Sequence, residues 1–253
     1  MESKNLDFNL SKCSFLVAGN PKARRKLQGK VDKKPLLLCK SQVKQVAVER
    51  YLGCQVAGSV ADSVSETVSK RAGLAKRSIY ESRYVVDDNR ADAVGGLTLS
   101  FLLFESSVAP MLFFGCEVWS VVPKKTMNLL EKICLLQMRV ALGIGRGQGF
   151  IIPCLYFECG MLLPKYRILQ QKLMFYYHVF HLPDTSLAKK CLNHQIMFSL
   201  PGVATECRDI LDDWKIGDLK LFTKAQFRKL IKDRIISENK KELVLAMQKY
   251  KKD

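Results

Sequence analysis

The hydrophobic pattern of this chain changes its period once, at Gly58, and this change limits the possible fold more than any other feature. Before Gly58 the apolar residues form short runs that are rich in β-branched residues and separated by Gly and Pro, which is typical of strands. After Gly58 they recur at helical spacing up to the C-terminus. The sequence therefore predicts an α+β protein that is mostly α, with a small N-terminal antiparallel β-meander followed by a helical bundle.

Start and stop signals place the individual helices. Ser63 with Glu66, and Thr223 with Gln226, have the form of a capping box, in which two side chains satisfy free backbone donors at a helix start. Pro164 suits a first helical position, Gly143 predicts a helix end, and Pro110 predicts an interruption. The predicted helices span 63–84, from near 92 to Pro110, 124–142, 164–181, 186–198, 205–213 and 223–237, and the lysine-rich end, 238–253, is expected to fray.

The chain is strongly basic, with 41 Lys and Arg against 24 Asp and Glu, a formal net charge of +17. This excess favours a polyanionic partner such as nucleic acid, although solvated lysine faces that bind nothing are the alternative. The positive charge lies towards both ends of the chain, and a basic loop is predicted between Lys22 and Lys34. The candidate phosphate-binding residues are Lys12, Lys22, Arg24, Arg25, Lys26, Lys30, Lys33, Lys34 and Arg146.

Cysteine usage and hydropathy bear on the cellular compartment. The nine cysteines are an odd number at irregular spacing, and the N-terminus does not resemble a signal peptide, so we expect reduced thiols in a nuclear or cytoplasmic protein that is not secreted. The longest apolar stretch, 97–119, is broken by Glu105 and Pro110. We therefore expect no membrane span.

Two segments and one set of Cys and His residues invite a chemical interpretation, and each is better explained without one. The glycine-rich segment 143–149 follows a predicted helix rather than a strand, which favours a linker between helices. Tyr-Val-Val-Asp-Asp at 84–88 has one residue more than the Tyr-x-Asp-Asp signature of reverse transcriptases, and it falls at a predicted helix end. Cys154, Cys159, His178, His181, Cys191 and His194 lack the spacing of a zinc site. We therefore predict no catalytic residues and no metal site.

A series of short segments nevertheless forms a specific pattern through its order and spacing. They are Asn-Leu-Ser-Lys-Cys-Ser-Phe-Leu-Val at 9–17, Tyr-Leu-Gly at 51–53, Tyr-Val-Val-Asp-Asp-Asn-Arg at 84–90, Val-Gly-Gly at 94–96, Pro-Met-Leu-Phe-Phe-Gly-Cys-Glu-Val-Trp at 110–119, Leu-Leu-Glu at 129–131, Arg139 with Leu142, Glu-Cys-Gly-Met at 158–161 and Pro-Gly-Val at 201–203. The series resembles the part of a non-LTR retrotransposon reverse transcriptase that follows its catalytic strands.

The resemblance implies an organisation and a partner. Residues 1–58 would be a palm-edge-like β segment with its basic loop, 59–142 thumb-like helices, and 143–253 a linker-like helical region with a basic tail. Tyr51, Leu52 and Gly53 would form the primer-grip-like turn. The implied partner is RNA or DNA as a template-primer duplex, held through its phosphates. An incomplete palm would also expose a strand edge, so we expect self-association there.

The family's catalytic aspartates lie upstream of the Asn-x-x-Lys segment, and only eight residues precede Asn9. We therefore expect the chain to be inactive alone and to bind no cofactor, the Mg²⁺ belonging to the complete family enzyme. Two functions remain open. One is a catalytically incomplete reverse transcriptase fragment that retains a basic nucleic-acid-binding surface. The other is a helical protein-interaction or scaffold protein with no nucleic-acid role.

Overall fold

The structure is a computed structural model that describes residues 14–18, 21–33, 36–38, 41–51, 54–88, 93–145 and 149–250. It divides into two compact units. The first comprises the described residues up to Thr67 together with Val121–Pro123, and the second comprises those in Val68–Ser120 and from Lys124 onwards. The predicted fold class, mostly α with a small β part, is confirmed.

The first unit contains short strands, one complete helix and, at 60–67, the start of a second helix. The strands are β1 (Ser14–Phe15), β2 (Leu37–Leu38), β3 (Ser41–Gln42), β4 (Lys44–Gln45), β5 (Val48–Tyr51) and β6 (Cys54–Ala57), and the helix is α1 (Pro21–Lys33). They form three two-stranded sheets. The pairs β2–β3 and β5–β6 are antiparallel, as predicted, but β1 pairs with β4 in parallel. A parallel pair needs a crossover connection, and the chain between β1 and β4 includes α1.

The predicted basic loop between Lys22 and Lys34 is wrong, because Pro21–Lys33 is helical. Pro21 occupies the first helical position, where its missing N–H costs nothing. The segment consists mainly of Lys, Arg, Ala, Leu and Gln, all good helix formers. The density of positive charge obscured this propensity in the sequence.

Helix α2 (Val60–Asp88) begins earlier and ends later than predicted. Its cap is Ser59, whose Oγ accepts a hydrogen bond from the Asp62 backbone N–H at 3.1 Å and donates to the Asp62 carboxylate at 2.6 Å. The predicted capping box at Ser63 is therefore wrong. Ser63 Oγ instead accepts from the Ala57 N–H at 2.8 Å, which ties the helix to the end of β6.

The remaining helices belong to the second unit. They are α3 (Ala93–Leu103), a π-helical turn (Phe104–Val108), α4 (Ala109–Phe113), a 3₁₀ turn (Cys116–Val118), α5 (Lys124–Leu142), α6 (Ile152–Glu158), α7 (Pro164–Phe180), α8 (Leu187–Met197), α9 (Val203–Asp213), a 3₁₀ turn (Leu219–Leu221) and α10 (Lys224–Tyr250). The predicted spans of α5, α7, α8 and α9 are confirmed to within two residues. Gly143, with φ of 67°, ends α5.

Two expectations about helix ends are wrong. Helix α10 does not fray after 238 but continues to Tyr250, because Asn239 and Leu243 extend its buried side. Pro110 does not end the helical segment that begins at Ala93, because α3, the π-helical turn and α4 follow one another without a break. Within that turn the Ala109 N–H donates to the Phe104 carbonyl, five residues back. Pro110 has no N–H to donate, and the wider turn accommodates it.

The stretch Gly96–Phe113 is the single segment among the described residues that is long and apolar enough to cross a membrane, and 39% of it is buried inside the protein. It carries Glu105, whose carboxylate pairs with Arg167 of α7. A core helix of a globular protein passes the same test of length and composition. The stretch is therefore weak evidence for a membrane span.

An extensive apolar cluster lies where α7, α8, α9 and α10 meet. Tyr177 of α7 stacks on Phe227 of α10 with ring centroids 4.5 Å apart, and its hydroxyl donates to the Phe222 carbonyl at 2.6 Å. Residues with at most 4% of their surface exposed that contribute to this cluster are Leu173, Val179, Ala204, Cys207, Leu211, Phe227, Ile231 and Ile235. Together with Leu192 of α8, they pack the four helices against one another.

One buried polar residue also joins α10 to the start of α7. Asn239 Oδ1 accepts from the Leu163 N–H at 3.0 Å, and its Nδ2 donates to the Met161 carbonyl at 3.4 Å. Asn239→Ala would leave both backbone groups without this partner, so we expect the free energy of unfolding to fall by about 2 kcal/mol. Urea denaturation measures this change in the free energy of unfolding. The exposed neighbour Lys240→Ala should change it by less than about 0.5 kcal/mol, and equal effects of the two variants would contradict the role of Asn239.

Candidate nucleic-acid interface

Helix α1 carries four exposed lysines on one side. Lys22, Lys26, Lys30 and Lys33, here called the lysine face, are separated by four, four and three residues. At about 100° per residue this spacing places them within an arc of roughly 80°, and at 1.5 Å per residue they extend over about 16 Å. None of the four forms an ion pair with another residue that the structure describes. Arg25 is exposed beside them.

The opposite side of α1 packs on the rest of the first unit and fixes the orientation of the lysine face. Gln28 Nε2 donates to Gln45 Oε1 of β4 at 3.1 Å, and Gln45 Nε2 donates back to Gln28 Oε1 at 2.5 Å. Arg24 Nη1 lies 3.5 Å from the Asp62 carboxylate of α2. Because these contacts hold one side of the helix, the lysines on the other side project into solvent.

Arg24 also depends on Gly58, the residue at which the sequence period changes. A Cβ on Gly58 would lie 2.4 Å from Arg24 Nη1 and 2.9 Å from Arg24 Cδ, closer than van der Waals contact allows. Gly58 therefore gives the arginine side chain room to lie against the backbone. The sequence predicted Arg24 as a site residue but contained no signal for this close approach.

Next to this contact lies an open pocket of about 430 Å³. Arg24, Arg25 and Gln28 of α1 line one part of it, and the remaining lining residues are Leu16, Val17, Gln45, Val46, Ala47 and Gly58. The pocket thus combines two guanidinium groups, two amides and an aliphatic surface. Of these residues, only the two arginines were predicted from the sequence.

In the part of the chain that the structure describes, the other predicted site residues are not among those that form this surface. Lys12, Lys34, Arg146, Leu52 and Gly53 lie outside the described residues. Tyr51 ends β5, and its backbone pairs with Cys54 of β6. The predicted self-association at a strand edge stays a prediction.

The described residues contain no group of three or more His, Cys, Asp or Glu that could hold a metal ion. Asp87 and Asp88 end α2, at the helix end where they were predicted. The glycine-rich segment lies between α5 and α6 and follows a helix, as expected for a linker. Burial raises the pKa of the Cys116, Cys134 and Cys207 thiols to about 12. These thiols therefore stay protonated near neutral pH and do not resemble nucleophiles.

Comparisons with protein-family models, with curated proteins and with solved structures find no match for this chain.

Proposed function

We propose that this chain is a non-LTR retrotransposon-derived reverse transcriptase fragment that binds nucleic acid without polymerising it, with the lysine face on the phosphates. The observation that carries the proposal is the alignment of Lys22, Lys26, Lys30 and Lys33 along the solvent side of α1. The segment Tyr-Val-Val-Asp-Asp ends a helix, whereas the family's signature belongs to a strand-turn-strand. The proposal therefore assigns no catalysis to it.

The chemistry of the lysine face supports binding without sequence preference. Double-stranded nucleic acid presents one phosphate charge per about 1.7 Å of its axis, so a row of about 16 Å faces several phosphates at once. Lysine is a flexible point charge that meets phosphates but does not impose the bidentate geometry with which arginine reads bases. The expected ligands are RNA–DNA hybrid and duplex DNA, bound in a strongly salt-dependent manner.

The test is the salt dependence of binding to a labelled RNA–DNA hybrid, measured by fluorescence anisotropy between about 50 and 300 mM salt. A variant with Lys22, Lys26, Lys30 and Lys33 all changed to Gln removes the lysine face. Each phosphate contact contributes about 0.9 to the slope of log affinity against log salt. We therefore expect the slope to lose about 3 to 4 and the affinity near 100 mM salt to fall by at least about 100-fold.

A matched variant separates this face from net charge. Lys125, Lys132, Lys190 and Lys220 are exposed residues of the second unit, and changing all four to Gln removes the same charge. Its salt slope should stay within about 1 of the unmodified protein. If the two variants lose slope equally, binding depends on overall charge and the lysine face is not the site.

A specific observation favours the alternative, a helical protein-interaction role. Phe157 of α6 and Val244 and Leu245 of α10 are exposed and line an open apolar groove. Exposed apolar patches are typical of protein interfaces. A protein with this role would show binding to nucleic acid that is absent, or equally weak in all variants, in the same salt series.

A further inference from the structure

The pocket between α1 and β4 has a composition that the lysine face does not need. Phosphate binding by the lysine face requires only exposed charge, yet this pocket adds amides and an aliphatic surface to two arginines. Gln28 and Gln45 hold each other through reciprocal hydrogen bonds, and Gln28 Nε2 also donates to Asp32 at 2.7 Å. A primary amide has two donor hydrogens and two acceptor lone pairs, so Gln45 keeps one of each for a ligand.

The arginines are placed for an anion at the same pocket. Arg24 lies against Gly58 and near Asp62, which limits its movement, while Arg25 is exposed on the adjacent helical position. A guanidinium group presents its donors in a fixed fork that matches two oxygens of one phosphate. Leu16, Val17, Val46 and Ala47 supply the apolar remainder of the lining.

We propose that this pocket binds a nucleoside monophosphate unit, with Arg24 and Arg25 on the phosphate, the aliphatic residues against the face of the base and Gln45 at its edge. The inference rests on the proposed function and deepens it, because a strand held along the lysine face can place a terminal nucleotide beside Arg25. The volume of about 430 Å³ lies within the range of small-molecule sites. A duplex could not insert a paired base, so the pocket takes an unpaired nucleotide.

The test is a titration of the full chain with AMP, followed by the NMR signals of the Gln28 and Gln45 side-chain amides. Adenosine and inorganic phosphate serve as controls that lack one half of the ligand. We expect AMP to shift these signals at a concentration at least about tenfold lower than either control. If AMP causes no shift, or if inorganic phosphate acts as well as AMP, the nucleotide assignment is overturned.

Variants connect the binding to the pocket. We expect Arg25→Gln and Arg24→Gln each to weaken AMP binding by about tenfold, since each removes a charge-assisted contact to the phosphate. Gly58→Val should do the same by displacing Arg24. If Gly58→Val fails to fold, the two arginine variants still decide the result. Unchanged AMP affinity in both arginine variants would overturn the inference.

The variant lacking the lysine face distinguishes this inference from the proposed function. It should bind AMP within about threefold of the unmodified protein, while its affinity for the RNA–DNA hybrid falls. If the variant lacking the lysine face loses hybrid binding, and neither the unmodified protein nor any variant binds AMP, the pocket is refuted and the lysine face is not. AMP binding together with equal hybrid affinity in all variants would refute the lysine face alone.

A 5′-phosphorylated single-stranded tetranucleotide that displaces AMP at lower concentration than AMP itself would assign the pocket to a strand end rather than to a free nucleotide.

Discussion

Phe227→Ala is expected to lower the free energy of unfolding of the helical unit by about 3–5 kcal/mol. The Phe227 side chain is fully buried where α10 meets α7. Its ring stacks on Tyr177 at 4.5 Å and lies 6.5 Å from the Phe222 ring. Truncation to Ala removes the apolar surface and leaves a cavity among helices that hold one another in place.

Leu221, which lies six residues before Phe227, provides the matched control, because its side chain is 79% exposed. Leu221→Ala should change the free energy of unfolding by less than about 0.5 kcal/mol. Urea denaturation followed by tryptophan fluorescence measures both, since Trp119 and Trp214 both belong to the helical unit. A loss below about 1 kcal/mol for Phe227→Ala would show that the four-helix cluster does not stabilise this unit.

The second large effect concerns a buried ion pair between α7 and α9. Lys172 Nζ lies 2.7 Å from Glu206 Oε2, and the side chain of Lys172 is only 6% exposed, whereas that of Glu206 is 39% exposed. Glu206→Ala leaves the lysine ammonium buried without this partner. Breaking a fully buried pair costs about 3–5 kcal/mol, and the partial exposure of Glu206 reduces the expected loss to about 2–3 kcal/mol.

The double variant Lys172→Met with Glu206→Ala is expected to recover part of the stability that Glu206→Ala alone loses. Methionine is similar in length to the lysine stem and carries no charge, so its burial incurs no desolvation cost. We expect the double variant to regain at least about 1 kcal/mol of the loss caused by Glu206→Ala. Chemical denaturation of the two variants provides the comparison. A double variant less stable than Glu206→Ala would mean that Lys172 stabilises the protein by contacts other than this pair.

Periodicity predicted those helices whose buried residues are mostly apolar along the whole length of the helix, as in α5. In α5, Leu130, Cys134 and Met138 recur at four-residue spacing and are all buried, and the predicted span 124–142 is confirmed. Local signals worked where both partners are close in sequence. Thr223 and Gln226 do form the capping box, with the Gln226 N–H donating to Thr223 Oγ1 at 3.3 Å.

The failures arise where charge or distant contacts decide the structure. Helix α1 contains few apolar residues among many charged ones, so its lysines resembled a loop although its apolar residues recur at helical spacing. The beginning of α2 is fixed by Ser59 rather than Ser63, because Ser63 is used by the Ala57 backbone. The pocket depends on Gly58 meeting Arg24 and on Gln28 meeting Gln45, contacts between residues far apart in sequence. No local pattern contains that information.

The parallel pairing of β1 with β4 closes a loop of chain that includes all of α1. A helix of 13 residues is only marginally stable by itself in water, and one crowded with like charges is less stable still. The helical conformation of α1 therefore depends on the closure of this loop. A synthetic peptide covering α1 alone would carry the same charges on a largely unfolded chain. We therefore expect the row of lysines to become regular once β4 is present to pair with β1.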